Sequence, residues 1–272
     1  MVSQERTSGV EIVSQGHLLT VKPFNQLKFE YDNGGATRGM VNDFSGKSRK
    51  RLLELVARLK SPGQDGYRGT TSFLTLTTQK IYHPADFKPL MFTWLKRLKR
   101  KSPTISAVWR IEYQKRGAAH AHLILYNAPY VNKDWIQKTW GEVIEQERPF
   151  TRIERVANHR AVMSYASKYI AKRPVGFINL PYLTADKETG EIRSLGRQWG
   201  VYNRNGLPFD KHETVILELD GSWWLIKNYC QRLWRDLPVD DYLGFTIFCD
   251  NPAEHLAKLV TISKQYIGVS YP

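Results

Sequence analysis

The sequence predicts a mixed α and β protein in which short strands alternate with amphipathic helices around one hairpin. Three observations carry this. Short runs rich in apolar, β-branched and aromatic residues recur along the chain, bounded by Gly, Pro and Asn. Between them lie stretches with apolar residues at helical spacing. The stretch from Trp109 to Leu125 joins two strand-like runs through a basic turn containing Gly117.

The 272 residues suffice for one or two domains with a full hydrophobic core. The two cysteines, Cys230 and Cys249, form no disulfide framework and fit a reducing compartment. No apolar run approaches the roughly 18 to 20 residues of a membrane span, and no apolar signal core follows Met1 to Arg6. No membrane association and a cytoplasmic location are therefore expected. The net charge of +14 points to a polyanionic partner, with nucleic acid the commonest.

In order along the chain, Val10–Val13 and His17–Val21 read as short strands, and residues 31–36 as loop. Residues 47–60 carry Leu52, Leu55, Val56 and Leu59 at helical spacing and end at Ser61-Pro62-Gly63. Gly46-Lys47-Ser48 is not a phosphate loop, because Val41 stands where that motif needs its first Gly. ATP binding is excluded there. Residues 71–78, Thr-Ser-Phe-Leu-Thr-Leu-Thr-Thr, are a strand. Residues 84–101 form a helix with a Phe87, Leu90, Met91, Trp94, Leu95, Leu98 stripe. Its basic end, Lys96 to Lys101, complements the helix dipole or contacts phosphates. The hairpin spans about 105–126. A helix capped by Asn132 runs to residue 146, a strand covers 150–156, and a helix covers 160–174. Residues 194–202 read as a Gly-bounded aromatic loop. The remainder holds strands at 214–219 and 243–248 and helices at 223–237 and 253–264.

Side chains two apart on a strand share a face, so His120 and His122 project together. If the hairpin has no bulge, Glu112 joins them. The opposite face then carries Ile111, Tyr113, Ala121, Leu123 and Leu125 as core. Two imidazoles and a carboxylate on one face are suitable ligands for a divalent metal. The helix over 160–174 sets Tyr165 and Tyr169 four apart on one face, with Lys168 and Lys172 each three residues beyond a Tyr. A metal on a phosphodiester offsets the charge that repels nucleophiles. A tyrosine hydroxyl, assisted by an ammonium or the metal, can then attack and store the bond energy as a phosphotyrosine. Paired tyrosines permit two successive transfers.

The succession Phe73-Leu74-Thr75-Leu76-Thr77, His120-Ala121-His122, Tyr165-Ala166-Ser167-Lys168-Tyr169 resembles the three motifs of HUH endonucleases, and more narrowly the rolling-circle replication initiators of small phages and plasmids, two-tyrosine branch. Ala121 is smaller than the hydrophobic residue usual between the histidines. The resemblance covers about residues 70–175. It implies an α+β fold with a central antiparallel sheet flanked by helices, of the ferredoxin or RNA-recognition type. It says little about residues 1–65 or 180–272. The domain expected is an HUH endonuclease domain over 66–265, with its catalytic core at about 70–175 and C-terminal elements at 180–265, preceded by an N-terminal extension over 1–65 that carries the basic helix.

The implied activity is site-specific nicking of single-stranded DNA at a replication origin and strand transfer through a 5′-phosphotyrosine. His120, His122 and Glu112 would hold Mg²⁺ or Mn²⁺. Tyr165 and Tyr169 would be nucleophiles assisted by Lys168 and Lys172. A bacterial host is expected. Without an ATPase motif, a separate helicase and DNA polymerase are inferred as partners. A transposase or relaxase of the same chemistry, and a non-catalytic nucleic-acid-binding module of similar fold, are the alternatives. The DNA substrate separates the first from an initiator, and metal dependence separates the second.

Overall fold

The computed structural model describes residues 8–25, 44–64, 66–114, 116–170, 189–190, 196–217, 222–239 and 244–267. In chain order the elements are β1 (Ser8–Gln15), β2 (Leu18–Asn25), α1 (Gly46–Ala57), β3 (Thr71–Thr77), α2 (Pro84–Lys101), β4 (Ser106–Tyr113), β5 (Ala119–Tyr126), α3 (Lys133–Ile144), β6 (Thr151–Arg155) and α4 (His159–Tyr165). A π-helical turn, Ala166–Ile170, follows directly. Then come β7 (Trp199–Tyr202), β8 (His212–Leu217), α5 (Ser222–Leu233), β9 (Phe245–Phe248) and α6 (Pro252–Ile267). The chain is α+β, with antiparallel sheets flanked by helices.

It divides into two compact units, residues 37–208 and a second unit made of 1–36 with 209–272. This corrects the expected break at residue 65. Helix α1 belongs to the 37–208 unit. The N-terminal strands are not an extension on the main domain, because β1 hydrogen-bonds to β8, and β2 to β9. The resulting sheet has the order β8-β1-β2-β9. Val10, Ile12, Leu19, Val21, Phe245 and Ile247 bury one core with Ile226 of α5 and Leu256 and Leu259 of α6. Sequence-distant strands pair here because neither the N-terminal hairpin nor the C-terminal elements can bury an apolar face alone.

In the larger unit the sheet order is β6-β3-β5-β4-β7, antiparallel throughout. The run β3-α2-β4-β5-α3-β6 is a βαββαβ unit of ferredoxin-like connectivity. One sheet face is core. Leu74, Leu76, Trp109, Ile111, Ala121, Leu123 and Leu125 pack against Phe87, Met91, Trp94, Leu95 and Leu98 of α2 and Ile136, Trp140 and Ile144 of α3. Each large apolar side chain buried here contributes about 1.5–3 kcal/mol. Two of the core indoles, Trp94 and Trp140, keep their hydrogen bonds inside. Trp94 Nε1 donates to Thr139 Oγ1 at 3.0 Å, and Trp140 Nε1 to the Thr77 carbonyl at 3.0 Å.

Helix α3 starts where the sequence places it. Asn132 Oδ1 accepts from the amides of Asp134 and Trp135. The segment read as an aromatic loop at 194–202 is partly strand, since β7 extends the sheet along β4. Its glycine permits the approach: a Cβ on Gly200 would lie 2.8 Å from Trp109 Cζ2. The helix expected over 160–174 is shorter as an α-helix and passes into the π turn at Ala166. Lys172 lies outside the described residues, as does the side chain of Tyr169. Among the described residues no helix is long and apolar enough to cross a membrane.

Candidate active site

The site is built on the sheet face opposite α2 and α3. The β4–β5 hairpin has no bulge, and its register sets Glu112 opposite His120 and Arg110 opposite His122. In β3, Thr75 faces His122 and Thr77 faces His120. The turn that fixes this register is held from outside. Gly117 takes φ +85°, a left-handed conformation that suits glycine. Arg116 donates to the carbonyls of Thr78 and Gln79 at 2.8 and 2.9 Å. Its Nε donates to Gln114 Oε1 at 2.9 Å, which turns the Gln114 amide nitrogen toward His120 Nδ1, 3.3 Å away.

The two imidazoles lie stacked, with centroids 4.6 Å apart and planes 24° apart. Burial, reinforced by the neighbouring His122 and opposed by Glu112, pushes His120 down to about 4. It is therefore neutral at pH 7, the state a metal ligand requires. His122 is buried, and its two nitrogens face different partners. Nε2 lies 3.4 Å from Glu112 Oε2. Nδ1 lies 3.1 Å from the Tyr165 hydroxyl and 3.4 Å from Thr75 Oγ1.

Tyr165 arrives from the end of α4, whose first turn is capped by Asn158 Oδ1 accepting from the Ala161 amide at 2.9 Å. Its ring stacks on Phe73 with centroids 3.8 Å apart and planes 7° apart. Phe73 of the first motif thus sets the height of the phenol above the sheet. The π turn begins at the next residue, and π turns inside helices recur at functional sites.

The structure thus gathers Glu112, His120, His122 and Tyr165, four residues expected from sequence. Lys168 is exposed on the π turn. It also supplies a residue the sequence reading missed, Arg110. This guanidinium is 1% exposed, lies 3.6 Å from Glu112 Oε1, and stacks over Phe44 at 3.7 Å. Its signal was its parity with Glu112 inside an otherwise apolar strand. Arg110 engages one carboxylate oxygen and leaves the other toward His122.

The donors fit a divalent metal by type: two imidazoles, of which His120 is held neutral, and a carboxylate whose side chain is 23% exposed. They do not form a finished cage. Among the described residues no three His, Cys, Asp or Glu side chains are arranged as a metal site. Only His122 and Glu112 approach to ion-pair distance, while the Gln114 amide holds His120 Nδ1.

Residues 71–174 match the family model described as Replication-associated protein ORF2. The matched stretch is less than half of the chain and contains every site residue named above except Phe44. It supports a replication-associated protein with a role in replication initiation. Among solved structures, the crystal structure of the hypothetical protein ORF119 from Sulfolobus islandicus rod-shaped virus 1 is similar at 16% identity. The alignment covers 43% of this chain and 88% of that chain, with a TM-score of 0.28. No curated protein sequence matches the chain.

Proposed function

We propose that this protein is an HUH-type, site-specific single-stranded DNA nickase and strand transferase that initiates rolling-circle replication. The observation that carries the reading is the Tyr165 hydroxyl, 3.1 Å from His122 Nδ1 on the sheet face shared with His120 and Glu112. The contact holds the Tyr165 oxygen in place over the face that carries the candidate metal ligands. The match over 71–174 supports its placement in replication.

His120, His122 and Glu112 would hold Mg²⁺ or Mn²⁺. The bound metal supplies charge neutralisation on the scissile phosphate. His122 has Nδ1 on Tyr165, so Nε2, facing Glu112, is its remaining donor atom. With Nε2 given to the metal, His122 would keep its hydrogen on Nδ1 and donate it to the Tyr165 oxygen as the phenol loses its proton to water. The Tyr165 oxygen forms a bond to phosphorus, the P–O3′ bond breaks, and the departing 3′ oxygen takes up a proton from water. The products are a 5′-phosphotyrosine and a 3′-hydroxyl that can prime synthesis. Tyr169 makes the second transfer when the circle closes. Lys168 and Lys172 balance phosphate charge, and a separate helicase and polymerase complete the replication machinery.

The test is a denaturing gel of the protein with single-stranded DNA of its own replicon and Mn²⁺, followed by mass-spectrometric mapping of the adduct. A covalent species on Tyr165 or Tyr169 is expected. The reading fails if wild type forms none, or if the Tyr165→Phe, Tyr169→Phe double variant forms as much as wild type. Glu112→Ala should lose cleavage far more than DNA binding.

A further inference from the structure

The second concentration of charge lies on the other side of the sheet. Helix α2 ends in a run of cations, and the structure separates their roles. Arg97 pairs with Glu142 at 2.7 Å. Lys101 stacks over the Trp135 ring at 4.6 Å. Lys96, Lys99 and Arg100 instead line a concavity of about 380 Å³ with Pro103 and Tyr202.

Four features distinguish this hollow from a solvated helix end. Lys96, Lys99 and Arg100 stand at i, i+3 and i+4, so like charges share one helix face, an arrangement that destabilises a helix. The helix dipole accounts for cations in the last turn but not for Lys96, a turn earlier. No carboxylate lines the hollow, and among the described residues none of the three cations has an acidic partner. The fourth wall is an aromatic ring held in place. Tyr202 packs on Phe92 with centroids 6.3 Å apart, and Lys99 Nζ lies 6.0 Å from its centre. Burial raises the Tyr202 phenol, while the Arg100 charge opposes that rise.

We infer that this hollow is a second binding site for a nucleic-acid backbone, taking phosphates on Lys96, Lys99 and Arg100 beside the Tyr202 ring. Cations interleaved with an aromatic surface are what a single strand requires. Tyr202 pairs with Ala107 on the core face of β4, so the site lies on the face of the sheet away from His120 and His122. It would therefore hold DNA removed from the scissile phosphate.

The test is fluorescence anisotropy of the full chain with a labelled oligothymidylate of about 30 nucleotides, in EDTA, over a salt series. Binding in EDTA needs neither metal nor tyrosine, so its outcome is separate from that of the nicking assay. Each phosphate contact on a single strand adds about 0.7 to the slope of log K against log salt, so the K96A/K99A/R100A variant should lose about 2. The charge-preserving K96R/K99R variant should keep the wild-type slope. An unchanged slope in the triple alanine variant overturns the site. So does an equal loss in K133A/K138A/R148A, which would show a diffuse field. If thymidine monophosphate or inorganic phosphate binds wild type as tightly as the oligonucleotide does, the backbone assignment falls.

Discussion

Arg110→Met isolates the buried charge that orients the site. The substitution keeps an unbranched apolar stem and deletes the guanidinium. At 3.6 Å and an effective dielectric near 20, the attraction to Glu112 is about 5 kcal/mol before desolvation is subtracted. Glu112 is partly exposed, so water recovers a share once Arg110 is gone. Desolvation of the fully buried Arg110 offsets more. The cation over Phe44 adds about 1–2 kcal/mol. Together these put the loss of stability at about 3 kcal/mol. The Arg110–Glu112 coupling should be about 2 kcal/mol, measured as the non-additivity of Arg110→Met and Glu112→Gln. Urea denaturation in EDTA at pH 7 reads both. A loss below about 1 kcal/mol, or coupling below about 0.5 kcal/mol, would refute the assignment of Arg110 as the residue that positions Glu112.

Tyr165→Phe should lose adduct formation at that position. It keeps the stack on Phe73 and gives up one hydrogen bond to His122, so its midpoint in urea should correspond to a loss of only about 1 kcal/mol. In metal-free protein, His120 makes stability fall with acid. Its folded value of about 4 lies below the unfolded 6.5, so the unfolded chain binds the proton first. The loss should develop between pH 6.5 and about 4, approach about 3 kcal/mol, and level off below. His120→Gln should flatten that window in a pH series of urea melts. Gly200→Ala should destabilise the larger unit by about 1–3 kcal/mol in the same assay, since its Cβ meets the Trp109 ring at 2.8 Å. A neutral result would mean that β7 does not press on β4.

The sequence alone determined the local grammar of this protein. Strand periodicity put Glu112, His120 and His122 on one face, and the bulge-free hairpin keeps that parity. Asn132 marked the start of α3. The order of the Phe73, His120 and Tyr165 stretches pointed to replication, which the match over 71–174 supports. Those features depend on neighbours close in the chain. Tertiary structure decided the rest. Pairing of β1 with β8, across some 200 residues of chain, is set by shared burial and leaves no local trace, so the first domain boundary was misplaced. The π turn after Tyr165 replaced a longer α-helix that no propensity argues against. Arg110 became part of the site only when Phe44 and Glu112 closed around it. The Lys96, Lys99 and Arg100 cluster, legible as a basic helix end, acquired a concave form only when β7 brought Tyr202 beside it. Periodicity says which face a side chain takes; what that face meets depends on contacts between residues far apart in the chain, and these are fixed only when the whole core is buried.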